Sequence, residues 1–213
     1  MIKVEKVEVA GLETAVRGMR NPLKSWELSD SYWDTSENSS QFVIGEKDLK
    51  LAQQLLAAGS DHSKFIRQIY VGFDLTAPLY FWKQFDTYKV ATVANSESTM
   101  HTLDKKIISL NDFSFEGENP GDDKDWATDI RTIIYICEMT RQKYVQTKDK
   151  KYYKRLVQIL PEGFNQKRTI TCSYATLRNM YFARKNHRLE EWKVFTNFIL
   201  TLPYGKELIA FEK

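Results

Sequence analysis

Residues 61–98 read DHSKFIRQIYVGFDLTAPLYFWKQFDTYKVATVANSES, and a change of period within them sets the class of fold. From Phe65 to Leu75 the odd positions are Phe, Arg, Ile, Val, Phe and Leu. That alternation predicts a strand with one buried face. Ala77-Pro78 then opens a short helix, because proline is tolerated in a first turn. The helix delivers Lys83, Gln84 and Lys89 into residues 90–98, read as a loop of small hydroxyl and amide residues. Such a loop can present N–H, hydroxyl and ammonium groups to a phosphate, or it can be a polar connector.

Working outward, Ile2 to Ala10 alternates and predicts a strand, residues 21–45 lack a period and read mainly as loop, and Asp48 to Ala58 forms an amphipathic helix stopped by Gly59. On the other side, residues 111–124 carry Gly117, Pro120, Gly121 and several acids and read as a surface loop. Asp125 to Gln146 is the longest helix, and Lys150 to about Ile159 a second one that ends before Pro161. Thr169 to Tyr174 is a short strand-like link, followed by helices over Ala175–Lys185 and Leu189–Leu202. Strands and helices mixed in this way point to an α/β or α+β fold, and a chain of 213 residues suits a single domain, here residues 1–213.

Composition narrows the classes. Hydrophobic residues make up 42% and aromatics 13%, enough for a packed core. A net charge of +3 is too small to imply a nucleic-acid partner. The N-terminal MIKVEKVEVAGLE is charged and alternating, unlike a signal peptide, and no apolar run is long enough for a membrane span. A cytoplasmic protein with no membrane association is expected. Two cysteines, Cys137 and Cys172, and three histidines, His62, His101 and His187, argue against a zinc or histidine-rich site, so no metal is expected. Each lone histidine is read as a surface or capping residue. The phosphate-loop, GxGxxG, GxSxG and HExxH patterns are absent.

Basic residues gather in two late runs, Lys143 to Lys154 and Arg178 to Lys193. On a continuous helix Arg178 and Lys185 share one face, as do Arg184 and Arg188. Such rows can bind carboxylate or phosphate, or they can be solvated cationic faces.

Taken in order, these segments resemble the flavin-dependent thymidylate synthases. His62, Phe65, Phe73 and Pro78 follow the family's HxxxFxxxxFxFxxxxP strand. Lys83-Gln84-Phe85 stands for RQW, Thr87-Tyr88-Lys89 for RHR, and Thr92 for the serine after it. The NExS element is matched by Asn95-Ser96-Glu97-Ser98 with one inserted residue or, without a gap, only by Asn95 in the glutamate's place. Leu160-Pro161 matches LP, Leu177-Arg178-Asn179-Met180 matches xRNL, and Glu191-Trp192-Lys193-Val194 resembles QWEI.

The resemblance implies a central, mainly antiparallel sheet flanked by helices, a homotetramer, and methylation of a pyrimidine deoxynucleotide, dUMP, using FAD, with NADPH and methylenetetrahydrofolate required for activity. It implies cofactor contacts at His62, Tyr88, Lys89 and Arg178, and substrate contacts at Lys83, Gln84, Asn95, Ser96, Ser98 and Arg188 (or His187). It names no catalytic side chain. Thr87 carries no charge, Tyr88 cannot become cationic, and Lys89 lacks the planar fork of arginine. Losing charge-assisted contacts of about 1.5–3 kcal/mol each weakens flavin binding by orders of magnitude. A protein that keeps the fold as an inactive nucleotide-binding or interaction module is the alternative.

Overall fold

The structure, a computed structural model, describes residues 2–35, 40–115 and 124–212. Parts of two expected loops, residues 36–39 and 116–123, lie outside the described residues. The fold is mixed α/β, with a central antiparallel sheet flanked by helices. Four strands, β1 (Lys3–Ala10), β4 (Tyr70–Pro78), β6 (Asn165–Ser173) and β5 (Thr92–Ser96), form it in the order β1-β4-β6-β5. The Leu79 N–H donates to the Phe164 carbonyl at 3.0 Å, and the Tyr174 N–H to the Ile69 carbonyl at 2.9 Å. One chain index rises as the other falls, which is the antiparallel pairing of β4 with β6. The hairpin of β2 (Tyr32–Asp34) with β3 (Gln41–Val43) lies in the stretch expected to be mainly loop. Strands of three residues are too short to leave a period in the sequence.

Other boundaries differ from the sequence reading, among them that of β6, which begins at Asn165 rather than Thr169. The strand expected from Phe65 begins only at Tyr70, because Lys64–Gln68 is a 3-10 turn in which the adjacent Phe65 and Ile66 are both buried. Residues 92–96, read as loop, pair as an edge strand, since short polar residues of low strand propensity are held by pairing rather than by a buried face. Pro78 closes β4 and caps α3 (Leu79–Phe85) rather than entering its first turn.

The chain divides into two compact units: Met1–Lys3, Asp74–Thr87 and Asn95–Thr169 form one, and Val4–Phe73, Tyr88–Ala94 and Ile170–Lys213 the other. The first unit holds α3, α4 (Thr99–Thr102), α5 (Lys124–Thr147) and α6 (Lys150–Ile159). Its core joins Leu103, Ile108 and Phe113 to Cys137 of α5, Leu156 of α6 and Phe164.

The second unit holds α1 (Leu12–Arg20), α2 (Glu46–Ala57), α7 (Tyr174–Arg184), α8 (Glu190–Thr201) and a π-helical turn, Gly205–Ile209. Gly11 starts α1 with a positive φ of 92°, and a Cβ there would collide with the Gln68 carbonyl oxygen. Beneath α1, the Arg20 guanidinium donates to the Asp48 carboxylate at 2.5 Å, and the Ser29 and Ser31 hydroxyls donate to its other oxygen at 2.5 and 2.6 Å. Burial alone would raise the Asp48 carboxyl, but these donors more than offset it and hold it below the ordinary carboxylate value. Trp192, Phe195, Phe198 and Phe73 pack edge-on or tilted against one another in the same unit.

Candidate functional site

The residues matched to the RHR motif lie where α3 ends. Thr87 turns its hydroxyl back onto the Gln84 carbonyl, 2.8 Å away, closing its own helix. Tyr88 is half-buried, and its hydroxyl accepts a hydrogen bond from the Arg184 Nε at 2.8 Å. The Arg184 guanidinium carbon lies 5.6 Å from the Tyr88 ring centre and 4.9 Å from that of Trp192, which is fully buried. A cation placed over aromatic faces is held by their quadrupoles as well as by the hydrogen bond. Arg184 thus brings a guanidinium to Tyr88, the residue matched to the histidine of RHR. Lys89 is exposed. Thr92, in the serine's place, has a buried hydroxyl with no hydrogen-bond partner among the described residues.

Arg178 is placed differently. Its Nη1 donates to the carbonyls of Ile209 and Phe211, each at 2.8 Å, and its guanidinium carbon lies 4.7 Å from the Phe182 ring centre. Burial lowers its pKa, with Glu212 acting in the opposite direction. Lys185 pairs with Glu212 at 2.5 Å. The Arg178/Lys185 face of α7 therefore grips the C-terminal segment of its own unit.

The shared face expected for Arg184 and Arg188 does not form, because α7 ends at Arg184. His187 falls in the turn beyond it, and its Nδ1 accepts from the Leu189 N–H at 3.2 Å. Burial, then Arg184 and Arg188, push its pKa down. His62 lines a different cavity, of about 930 Å³, with Leu51, Leu55, Phe65, Lys47 and Lys64. Tyr88, Lys89 and Arg178 are not among the residues that line it.

In the other unit, Lys83 pairs with Glu162 at 2.7 Å on the surface. Asn95 and Ser96 are exposed on β5, and Ser98 stands at the N-terminal boundary of α4 without a side-chain capping bond. The sequence reading gave no role to the β6 side chains that join these elements. Period two sorts them. At even positions, Gln166 donates to the Glu97 carbonyl at 2.7 Å, and Arg168 binds Asp86 at 2.7 Å with its guanidinium carbon 4.2 Å from the Trp82 ring centre. At odd positions, Lys167 and Thr169 reach the Asp74 carboxylate at 2.9 and 2.6 Å. The alternation of Gln166, Arg168, Ile170 and Cys172 was the available signal.

Burial raises the thiols of Cys137 to about 11 and Cys172 to about 12, so neither is a nucleophile near neutral pH. Among the described residues no group of three or more His, Cys, Asp or Glu is placed to hold a metal ion, and no helix is long and apolar enough to cross a membrane.

No family model and no curated protein matches the sequence. Solved structures do match the fold. The flavin-dependent thymidylate synthase ThyX from Helicobacter pylori, complexed with FAD and dUMP, superposes with a TM-score of 0.69 over 97% of this chain and 97% of that one, at 17% identity. The fold is that of the flavin-dependent thymidylate synthases. The UMP/dUMP methylase PolB from Streptomyces cacaoi, bound with 5-Br dUMP, shares this thymidylate synthase fold with a TM-score of 0.65 over 99% of this chain and 96% of that one, at 16% identity.

Proposed function

We propose that this chain is a divergent protein of the flavin-dependent thymidylate synthase type that binds a pyrimidine deoxynucleotide such as dUMP and holds FAD weakly. The observation that carries the reading is the likeness, over nearly the full length of both chains, to structures complexed with dUMP or its 5-bromo derivative. Lys83, Gln84, Asn95, Ser96 and Ser98 are proposed as nucleotide contacts in one unit. Arg188 or His187 is proposed as a nucleotide contact in the other.

His62, Tyr88, Lys89 and Arg178 are proposed on the flavin side. The residues present fit a flavin dinucleotide only in part. Thr92 offers an orphaned hydroxyl and Arg184 a guanidinium beside Tyr88, whereas Thr87 is spent on its own helix. A doubly charged pyrophosphate needs compensating cations. One guanidinium supplies fewer than the arginine, histidine and arginine of the family motif. When bound, FAD supplies the redox chemistry, with NADPH and methylenetetrahydrofolate as co-substrates, and methylation of the nucleotide is then slow.

A cytoplasmic homotetramer is proposed, so that groups from different subunits can complete each site. Ile133, Tyr135 and Ile136, apolar side chains exposed on α5, support association. Light scattering at micromolar protein should give four chains per particle, and a monomer contradicts the shared-site reading. The function itself is tested by calorimetric titration with dUMP. One nucleotide per chain is expected, weakened by Lys83→Ala, and the absence of any heat of binding removes the proposal.

A further inference from the structure

The reading above leaves the basic run Lys143 to Lys154 unused, and part of it lines a cavity of about 890 Å³ among α4, α5 and α6, all within one unit. Met100, Tyr144, Tyr153 and Val157 give it an apolar wall. Lys105, Lys150 and Lys154 bring positive charge, against the single carboxylate of Asp104. The three lysine ammonium groups make no ion pair or hydrogen bond with any described residue.

The walls are held by bonds that do not involve a ligand. The Tyr153 hydroxyl donates to the Thr99 carbonyl at 2.6 Å, tying α6 to α4. Its ring meets that of Tyr144 edge to face, with centres 4.9 Å apart. Arg141 of α5 donates to the Asp104 carbonyl at 3.0 Å, while its partner Glu138 accepts from the Ile108 N–H at 2.9 Å. The cavity is therefore formed in advance, and its size and its apolar wall with a few converging polar groups are those of a small-molecule site.

We infer that this cavity binds a flat anionic ligand, an aromatic ring joined to a phosphate or carboxylate group. The ring matches the tyrosine, methionine and valine wall, where stacking and burial favour it. The anion supplies a partner for three ammonium groups that make no ion pair with any described residue. A neutral ring would leave the lysines unpaired, and a bare anion would leave the apolar wall in water. Because the lysines are exposed, the attraction is screened by salt.

The test is a calorimetric titration of the whole protein with adenosine 5′-monophosphate, with adenosine, inorganic phosphate and terephthalate as separate arms. We expect the monophosphate or terephthalate to bind at least tenfold more tightly than adenosine or phosphate alone, and more weakly as salt is raised. Whichever of the two binds more tightly identifies the anion as phosphate or carboxylate. The Lys150→Gln/Lys154→Gln variant, shown by circular dichroism to be folded, should lose at least tenfold in affinity, while Lys83→Ala keeps it. The inference is overturned if neither probe binds, or if binding survives in the double variant. It is also overturned if binding is lost in Lys83→Ala alone, which assigns it to the proposed dUMP contacts instead.

Discussion

The two ends of α7 carry arginines that the sequence presents as equals and the structure does not. Arg178, in the better motif match, donates to two carbonyls of the C-terminal segment, and Lys185 pairs with that segment's Glu212. Arg184, which matches no motif, bonds the Tyr88 hydroxyl and lies over Trp192. A motif match locates a residue in the chain, and the groups within reach of its side chain decide what it does. One end of this helix holds the C-terminal segment, and the other places a guanidinium beside Tyr88 and Trp192.

The sharpest way to break that comparison is Arg178→Ala. It leaves the carbonyls of Ile209 and Phe211 without their charged donor, which costs about 1.5–3 kcal/mol. For a chain of this length that lowers Tm by roughly 3–12 °C. Arg178→Lys should recover only part of the loss, since one ammonium cannot reproduce the fork. Unchanged Tm in Arg178→Ala, measured by calorimetry, would show that these bonds add nothing to stability.

Arg184→Ala should act on the ligand more than on stability. FAD affinity should fall about tenfold, roughly 1.4 kcal/mol, with a smaller change in Tm than Arg178→Ala produces. Tyr88→Phe, which removes the acceptor but keeps the ring, should have the same sign and a smaller size. Equal FAD affinity in Arg184→Ala and the parent would detach Arg184 from the flavin side. Restoring Thr87→Arg together with Tyr88→His should tighten FAD binding, and an unchanged affinity would mean the pocket differs beyond those two positions.

The smallest effect concerns His187 in the turn after α7. Its pKa is lowered in the folded protein by burial and by two arginines, so folding favours the neutral ring. The stability from that neutral state is present above the unfolded value of about 6.5 and is lost as pH falls through the lower folded value. Stability measured by urea denaturation should therefore drop between pH 7 and pH 5 by less in His187→Gln than in the parent.

Much of the fold was legible because long periodic segments leave a signal. The spans of α5, α6, α7 and α8 and of β1 follow their apolar patterns to within a residue or two. The 3-10 turn before β4 was not legible, because Phe65 and Ile66 are buried by tertiary contacts that override the alternation they fall into. Nor was edge strand β5, whose residues are polar and mostly exposed. Of the candidate residues, Tyr88 is singled out by the motif, whereas Arg184 meets it from 96 positions away and only the fold brings them together. The Arg184/Arg188 pairing failed because a helical period was extended past the end of the helix.

The central claim is that the altered motif, with Arg184 beside it, holds FAD but holds it weakly. Equilibrium titration of the purified protein with FAD, followed by quenching of flavin fluorescence, tests this directly. Saturable binding in the micromolar range is expected, with one FAD per chain at saturation and no flavin retained after gel filtration. Flavin that co-purifies at one per chain and survives gel filtration would contradict the account, and so would the absence of any saturable quenching.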